Sequence, residues 1–160
     1  MTGDGAGMSR RRIRDAGRLV AGALVATAAV FVGPASPAGA GVVDVYYVVD
    51  GDTIRLQSGA YVRFIGIDTP EVGECGYGKA KRQLDAWIGS TARLVNPAAV
   101  DDRDAYHRLL RYVEASGRDT GLALIRKGLA RARYDGRDGY DHHPRQRAYR
   151  RADRRSPDVC

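Results

Sequence analysis

A chain of 160 residues, 44% of them hydrophobic and 28% charged, has room for one core of ordinary size and excludes a multidomain protein. Its 26 basic and 19 acidic side chains leave a formal charge of +7, which suits an anionic partner without naming one. On charge alone nucleic acid, a cell wall and an acidic surface remain open, and no internal repeat is visible.

The first forty residues read as a targeting segment. The basic stretch Met8 to Arg14 precedes an uncharged apolar run from Leu19 to Val32, followed by Gly33, Pro34, Pro37 and the triplet Ala38-Gly39-Ala40. That order is the form of a secretory signal peptide cleaved near Ala40. The expectation is a secreted, extracellular protein whose domain occupies residues 41–160, with no stable membrane association after cleavage. A single membrane anchor is the competing reading, because the run is close to the lower length of a span. Without residues 1–40 the chain carries 21 basic against 17 acidic side chains, a charge of +4. Its two cysteines, Cys75 and Cys160, form an even count, which in an exported chain favours a disulfide. Such a bond would close most of the domain into one loop and contribute about 4 kcal/mol in the chain-entropy model.

Val42 to Val49, rich in Val and Tyr, predicts a strand. Thr53 to Gln57 and Tyr61 to Ile67 alternate apolar and polar residues and predict two half-buried strands, paired as a hairpin through Ser58-Gly59. Tyr77 to Ser90 changes to a helical period, with Ala80, Leu84, Trp87 and Ile88 on one face. Ala92 to Asn96 is a weaker strand ended by Pro97, Asp101 to Asp104 a polar loop, and Arg108 to Ala115 a strand that turns at Ser116-Gly117. Thr120 to Lys127 is a short helix stopped by Gly128, and Leu129 to Tyr134 a last strand. From Asp135 the chain turns to glycine, aspartate and arginine. Pro144 fits a helix start, with Ala148, Tyr149 and Ala152 as a thin apolar face; the arginines from Arg145 to Arg155 read either as a solvated helix face or as a nucleic-acid-binding arm. Short strands with scattered helices indicate a small β-barrel with helical packing, not a parallel α/β sheet.

Three segments concentrate acids and arginines: Val49 to Ile54, with Asp50, Asp52 and Thr53; Arg63 to Glu71, with Asp68, Thr69 and Pro70; and Asp104 to Arg108, with Tyr106. Each has an ordinary reading taken singly. Asp50-Gly51 is hairpin chemistry, Asp68-Thr69-Pro70 a turn, and Arg108 a solvated arginine. Arg63 and Asp68 are an odd number of residues apart, so on a regular strand they face opposite ways and need a twist, a bulge or a strand end to converge. His142-His143 beside Asp141 has no further ligand type at supporting spacing.

Taken together, in order and spacing, the segments resemble the staphylococcal-nuclease (thermonuclease) family, with its D-G-D-T strand end, R-x-x-x-x-D-T-P-E strand and loop, and D-x-Y-x-R turn; the resemblance runs from about Val43 to Tyr134. It implies a mainly β fold with α, a five-stranded Greek-key OB barrel with three helices. It implies one Ca²⁺ held by Asp52, Asp68 and the backbone carbonyl of Thr69, with Asp50 and Thr53 bonding to those ligands or to metal-bound water. Glu71 would be the general base, and Arg63 and Arg108 would grip the phosphate and stabilise its transition state. Tyr106 and Tyr134 would contact the nucleotide. The activity so implied is hydrolysis of DNA and RNA, single strands favoured, by a monomer; the competing reading is a non-catalytic OB module that only binds single strands. The chain departs from the family pattern at His107, where glycine is common, at the short loop 72–78, and at Gly136, where a second stacking tyrosine can stand. It also lacks a C-terminal tryptophan, a place Cys160 could fill by pairing with Cys75.

Overall fold

The computed structural model of the protein describes residues 41–158. The expected signal peptide and Cys160 lie outside the described residues, and with them the cleavage site and the pairing of Cys75. In chain order the elements are β1 (Gly41–Val48), β2 (Thr53–Leu56), β3 (Tyr61–Phe64), β4 (Ile67–Asp68), α1 (Tyr77–Ile88), β5 (Thr91–Val95), β6 (Leu109–Ala115), β7 (Arg118–Asp119), α2 (Thr120–Arg126), β8 (Arg131–Ala132) and α3 (Gln146–Asp153).

Five of the strands close a barrel in the order β3-β2-β1-β5-β6, the parallel pairing of β6 with β3 shutting it. This is the expected OB barrel carrying three helices. Strand β1 serves two neighbours. Gly41 to Asp44 pair with β5, and Val45 to Val48 pair with β2, the register slipping by one residue between Val45 and Tyr47. Alternate residues fill the interior: Ile54 and Leu56 from β2, Val62 and Phe64 from β3, all at most 5% exposed. Each such aliphatic or aromatic side chain contributes about 1.5–3 kcal/mol by leaving water.

The helices cover the barrel as their apolar faces direct. Helix α1 buries Ala80, Leu84 and Ile88, while Trp87 is half-buried beneath the Arg118 guanidinium, 5.1 Å from its ring centre. Helix α2 is capped by Asp119, whose carboxylate accepts from the Leu122 N–H at 3.0 Å, and ends in a left-handed Gly128 with Leu129 N–H returning to the Leu124 carbonyl. Helix α3 starts at Gln146, two residues after Pro144, and of its expected apolar face buries Tyr149 and half-buries Ala152, while Ala148 is exposed and Gln146 is buried instead. Its arginines divide. Arg145 pairs with Glu114 and Asp119, and Arg150 with Asp135 and Asp138, whereas Arg147, Arg151, Arg154 and Arg155 face solvent.

Two expected strands are shorter than their apolar runs. The run Tyr61 to Ile67 breaks at Gly66, which takes φ 74° and turns the chain so that Ile67 and Asp68 pair with Ala132 and Arg131 in a separate two-stranded sheet. The last strand is accordingly only Arg131–Ala132 and stays outside the barrel. Periodicity carries no record of such a break, although a glycine inside a strand pattern often marks a bulge or a tight bend. Gly66 is obligatory for a second reason: a Cβ there would stand 2.3 Å from Nε2 of the buried His143.

Candidate active site

The tip of the β1–β2 hairpin is where the site begins. Asp50 accepts the Asp52 N–H at 3.0 Å, and Val49 N–H reaches the Thr53 carbonyl at 2.9 Å, so the turn is closed by its own polar groups. Gly51 lets that tip press inward, because a Cβ would lie 2.8 Å from the side chains of both Thr69 and Ala80. The result is Asp52 driven against the segment after β4. Its Oδ2 accepts from the Thr69 N–H at 3.0 Å and from the Thr69 hydroxyl at 2.9 Å, and its Oδ1 accepts from the Thr53 hydroxyl at 3.2 Å.

Arg63 leans over the same carboxylate, Nε to Oδ1 at 3.2 Å. One terminal nitrogen donates to the carbonyls of Phe64 and Ile67 at 2.8 and 2.9 Å, and the other comes to 3.7 Å from Asp68 Oδ1. The break at Gly66 is what brings Asp68 round to the side of Arg63, resolving their odd spacing. Tyr134 completes the group: its hydroxyl donates to Asp68 Oδ1 at 3.4 Å, and the Arg63 guanidinium lies 5.5 Å from its ring centre. Tyr134 holds a left-handed backbone (φ 57°) to do so, and Tyr140 meets its ring edge to face at 5.4 Å. An exposed tyrosine thus stands beside Tyr134 although Gly136 supplies no ring.

Burial pushes the Asp52 carboxyl up to about 6; Arg63 pulls it back, Asp50 raises it again and the bonds from Thr69 lower it. A lone arginine therefore leaves three carboxylates, Asp50, Asp52 and Asp68, incompletely compensated. Among the described residues no three His, Cys, Asp or Glu side chains form a cluster able to hold a metal unaided. The donors are all oxygens and only two or three are near, a set that fits a hard divalent cation retaining water and a substrate oxygen.

Arg108 belongs to a second unit. Asp104 Oδ1 accepts the N–H groups of Tyr106 and Arg108 at 3.0 and 2.9 Å, and its Oδ2 takes Arg108 Nε at 2.7 Å. Burial alone would raise the Asp104 carboxyl, but these bonds from Arg108 and Tyr106 outweigh it and the group is held below the usual carboxylate range. With Nε occupied, both terminal amino groups of Arg108 are without a partner among the described residues, a fork open to an anion. The exposed Tyr106 ring lies 5.4 Å from that guanidinium. Parallel pairing sets Leu109 opposite Val62 and Leu110 opposite Arg63, so Arg108 enters its strand beside the strand that carries Arg63. No hydrogen bond or ion pair among the described residues joins the two units. Asp104 is the residue that motif reading named without a task; an acid four before an arginine was the available signal.

Glu71 stands apart from both. Its side chain is exposed on the loop after Pro70, and its backbone N–H donates to the Glu74 carboxylate at 2.7 Å. His142 and His143 do not form a metal site: His143 is wholly buried, with Nδ1 2.8 Å from the Tyr112 hydroxyl.

His107, where the resemblance calls for glycine, adopts φ 64°. A left-handed backbone costs a non-glycine residue about 1–2 kcal/mol, and glycine gives part of that back as unfolded-state entropy. His107→Gly is therefore expected to raise stability by about 0.5–1 kcal/mol, read as a higher urea midpoint with unchanged slope.

The family model described as staphylococcal nuclease homologue matches residues 61–156. The turn with Asp50, Asp52 and Thr53 lies before that match. Over 95 residues the chain is 35% identical to the SPbeta prophage-derived endonuclease YokF of Bacillus subtilis (strain 168), covering 54% of this chain and 32% of that protein. It is 34% identical over 95 residues to Endonuclease YncB of the same organism and 33% identical over 95 residues to Thermonuclease of Staphylococcus intermedius, covering 45% and 56% of those proteins. The chain thus spans between about a third and a little over half the length of these relatives.

Proposed function

The chain belongs to the staphylococcal nuclease homologue family, and from that premise we propose that it is a Ca²⁺-dependent nuclease that hydrolyses phosphodiester bonds of DNA and RNA, single strands favoured. The observation that carries the reading is the pair of carboxylate-held arginines, one on β3 and one at the entry to its parallel neighbour β6, the first beside the buried Asp52 and its oxygen-rich surroundings.

Asp52, Asp68 and the Thr69 carbonyl would hold the cation, with Asp50 and Thr53 bracing Asp52. Bound there, a divalent cation supplies Lewis-acid polarisation of the phosphate and orients water. The rest falls to the side chains. Arg63 is fixed by two carbonyls and Asp52, so it meets the phosphate without reorganising. Arg108, fixed through Nε by Asp104, offers its open fork to two phosphate oxygens. Glu71, with no side-chain partner among the described residues, takes the proton of the attacking water. Tyr106 and Tyr134 contact the nucleotide on either side, their rings already backed by Arg108 and Arg63.

The same reading includes export through a signal peptide at residues 1–40, a monomer, and a Cys75–Cys160 bond fastening the end of the chain. Its test is cleavage of single-stranded DNA with Ca²⁺ and then with excess chelator. Metal-dependent cleavage supports it, whereas binding without cleavage by folded protein selects the non-catalytic OB module. Arg108→Lys should lower turnover about 10²-fold in that assay, since lysine keeps the charge and loses the fork. Turnover within a factor of two of the parent removes Arg108 from the phosphate.

A further inference from the structure

Residues two apart on a strand share a face, so Tyr61 and Arg63 both leave β3 outward while Val62 and Phe64 fill the barrel. The register carries that outer face across the sheet in two rows. Thr53 stands opposite Arg63 in one row, which belongs to the candidate active site; Arg55 stands opposite Tyr61 in the next, and Tyr47 opposite Arg55. The second row lies about 6.6 Å along the strands from the first and has no part in the site described above.

The bulge in β1 enlarges this row. The slip between Val45 and Tyr47 keeps Val45 and Val48 inside and turns two consecutive tyrosines outward, with Tyr46 63% and Tyr47 44% exposed. Their rings meet edge to face at 5.2 Å. Tyr61 is 37% exposed and stacked by the Arg55 guanidinium, 4.4 Å from its ring centre. Among the described residues Arg55 has no carboxylate partner; its guanidinium lies over the Tyr61 ring instead. Three exposed tyrosines on adjoining strands around one stacked arginine make a surface with ring faces to offer and a single guanidinium among them, which suits the bases of a nucleic-acid strand.

We propose that Tyr46, Tyr47 and Tyr61, ordered by Arg55, form a stacking platform for the bases of a single-stranded nucleic acid, continuing the substrate track beyond the scissile phosphate; its purpose, though not its binding, rests on the nuclease reading. The partner follows from continuity: a strand whose phosphate lies at Arg63 runs its neighbouring nucleotides along the same face. Stacking on aromatic rings tolerates any base, and barrels of this type cover about 4–16 nucleotides, more than the Arg63 row alone could touch.

The test is binding of a fluorescent single-stranded thymidine oligomer of about ten nucleotides to the full chain, by anisotropy in excess chelator so that nothing is cleaved. The side chains are exposed, so Tyr47→Ala/Tyr61→Ala should keep the parent circular dichroism spectrum and melting temperature. Its Kd should rise about tenfold or more, as loss of one or two stacked bases requires. Tyr47→Phe/Tyr61→Phe, which keeps the rings and removes only the hydroxyls, should return to within about twofold of the parent. Equal Kd for the alanine variant and parent, or no binding by the parent, overturns the platform. A parent that binds with this tyrosine dependence yet never cleaves with Ca²⁺ overturns the nuclease reading and leaves the platform standing.

Discussion

Exchanging Glu71 for glutamine is expected to lower turnover on single-stranded DNA by about 10²–10⁴-fold, the range a well-placed general base supplies, while leaving the fold as stable as before. Both halves follow from where Glu71 sits. It is exposed, follows the rigid Pro70, and its recorded bonds are made by its backbone, so no ion pair is lost when the charge is removed. Pro70 restricts the backbone of Thr69 and hence the approach of Glu71 to Asp68 and Asp52. Glutamine retains length and shape but cannot take a proton. The fall should therefore appear in kcat with KM nearly unchanged, the pattern of an interaction made in the transition state. Turnover reduced less than about fivefold, far below what a general base supplies, would remove Glu71 from proton transfer.

The contrast between Glu71 and Asp52 shows what the sequence could convey. Both were named through the family resemblance, since each segment taken singly reads as an ordinary turn. Spacing could also flag the parity conflict between Arg63 and Asp68. It could not supply the left-handed turn at Gly66 that removes the conflict, because that turn depends on His143 arriving from far along the chain to fill the space a Cβ would need. The barrel strands and all three helices were legible from period alone; the separate β4–β8 pair was not, since two-residue strands leave no period to detect. Likewise Arg108 could be named from a motif, but that Asp104 immobilises its Nε and frees the fork is a matter of geometry. The same holds for the arginine-rich tail. Composition posed a choice between a solvated face and a binding arm, whereas packing sends Arg145 and Arg150 inward to Asp119, Glu114, Asp135 and Asp138 and leaves the others outside.

His143 leads to the second large effect, a loss of stability in mild acid. The ring is wholly buried between Tyr112 and Tyr149. The Arg145 N–H donates to the Tyr112 hydroxyl at 3.2 Å, and that hydroxyl lies 2.8 Å from His143 Nδ1, a hydrogen bond that either neutral tautomer of the ring can make. Nε2 itself faces Gly66 and has no partner among the described residues. Nothing is placed to welcome a second proton: burial pushes the ring down to about 4, Asp135 and Asp119 pull it up, and His142 and Arg150 oppose them. In the unfolded chain the same ring titrates near 6.5. Between these values the unfolded state binds a proton that the folded state refuses, so stability is fully present above pH 6.5 and is lost as pH falls toward 4, by about 3 kcal/mol. Asp52 acts in the opposite sense over an overlapping range, because its folded carboxyl is raised to about 6 and folding there favours protonation. The parent curve alone mixes the two, and a paired comparison separates them. Urea unfolding of parent and His143→Gln, with chelator present at pH 7 and pH 4.5, should show the parent losing about 2 kcal/mol relative to the variant on acidification. Glutamine can still accept from Tyr112 but does not titrate in this range. Parallel losses in the two proteins would mean that the fold accepts the proton on the ring, with the Tyr112 hydroxyl accepting from Nδ1.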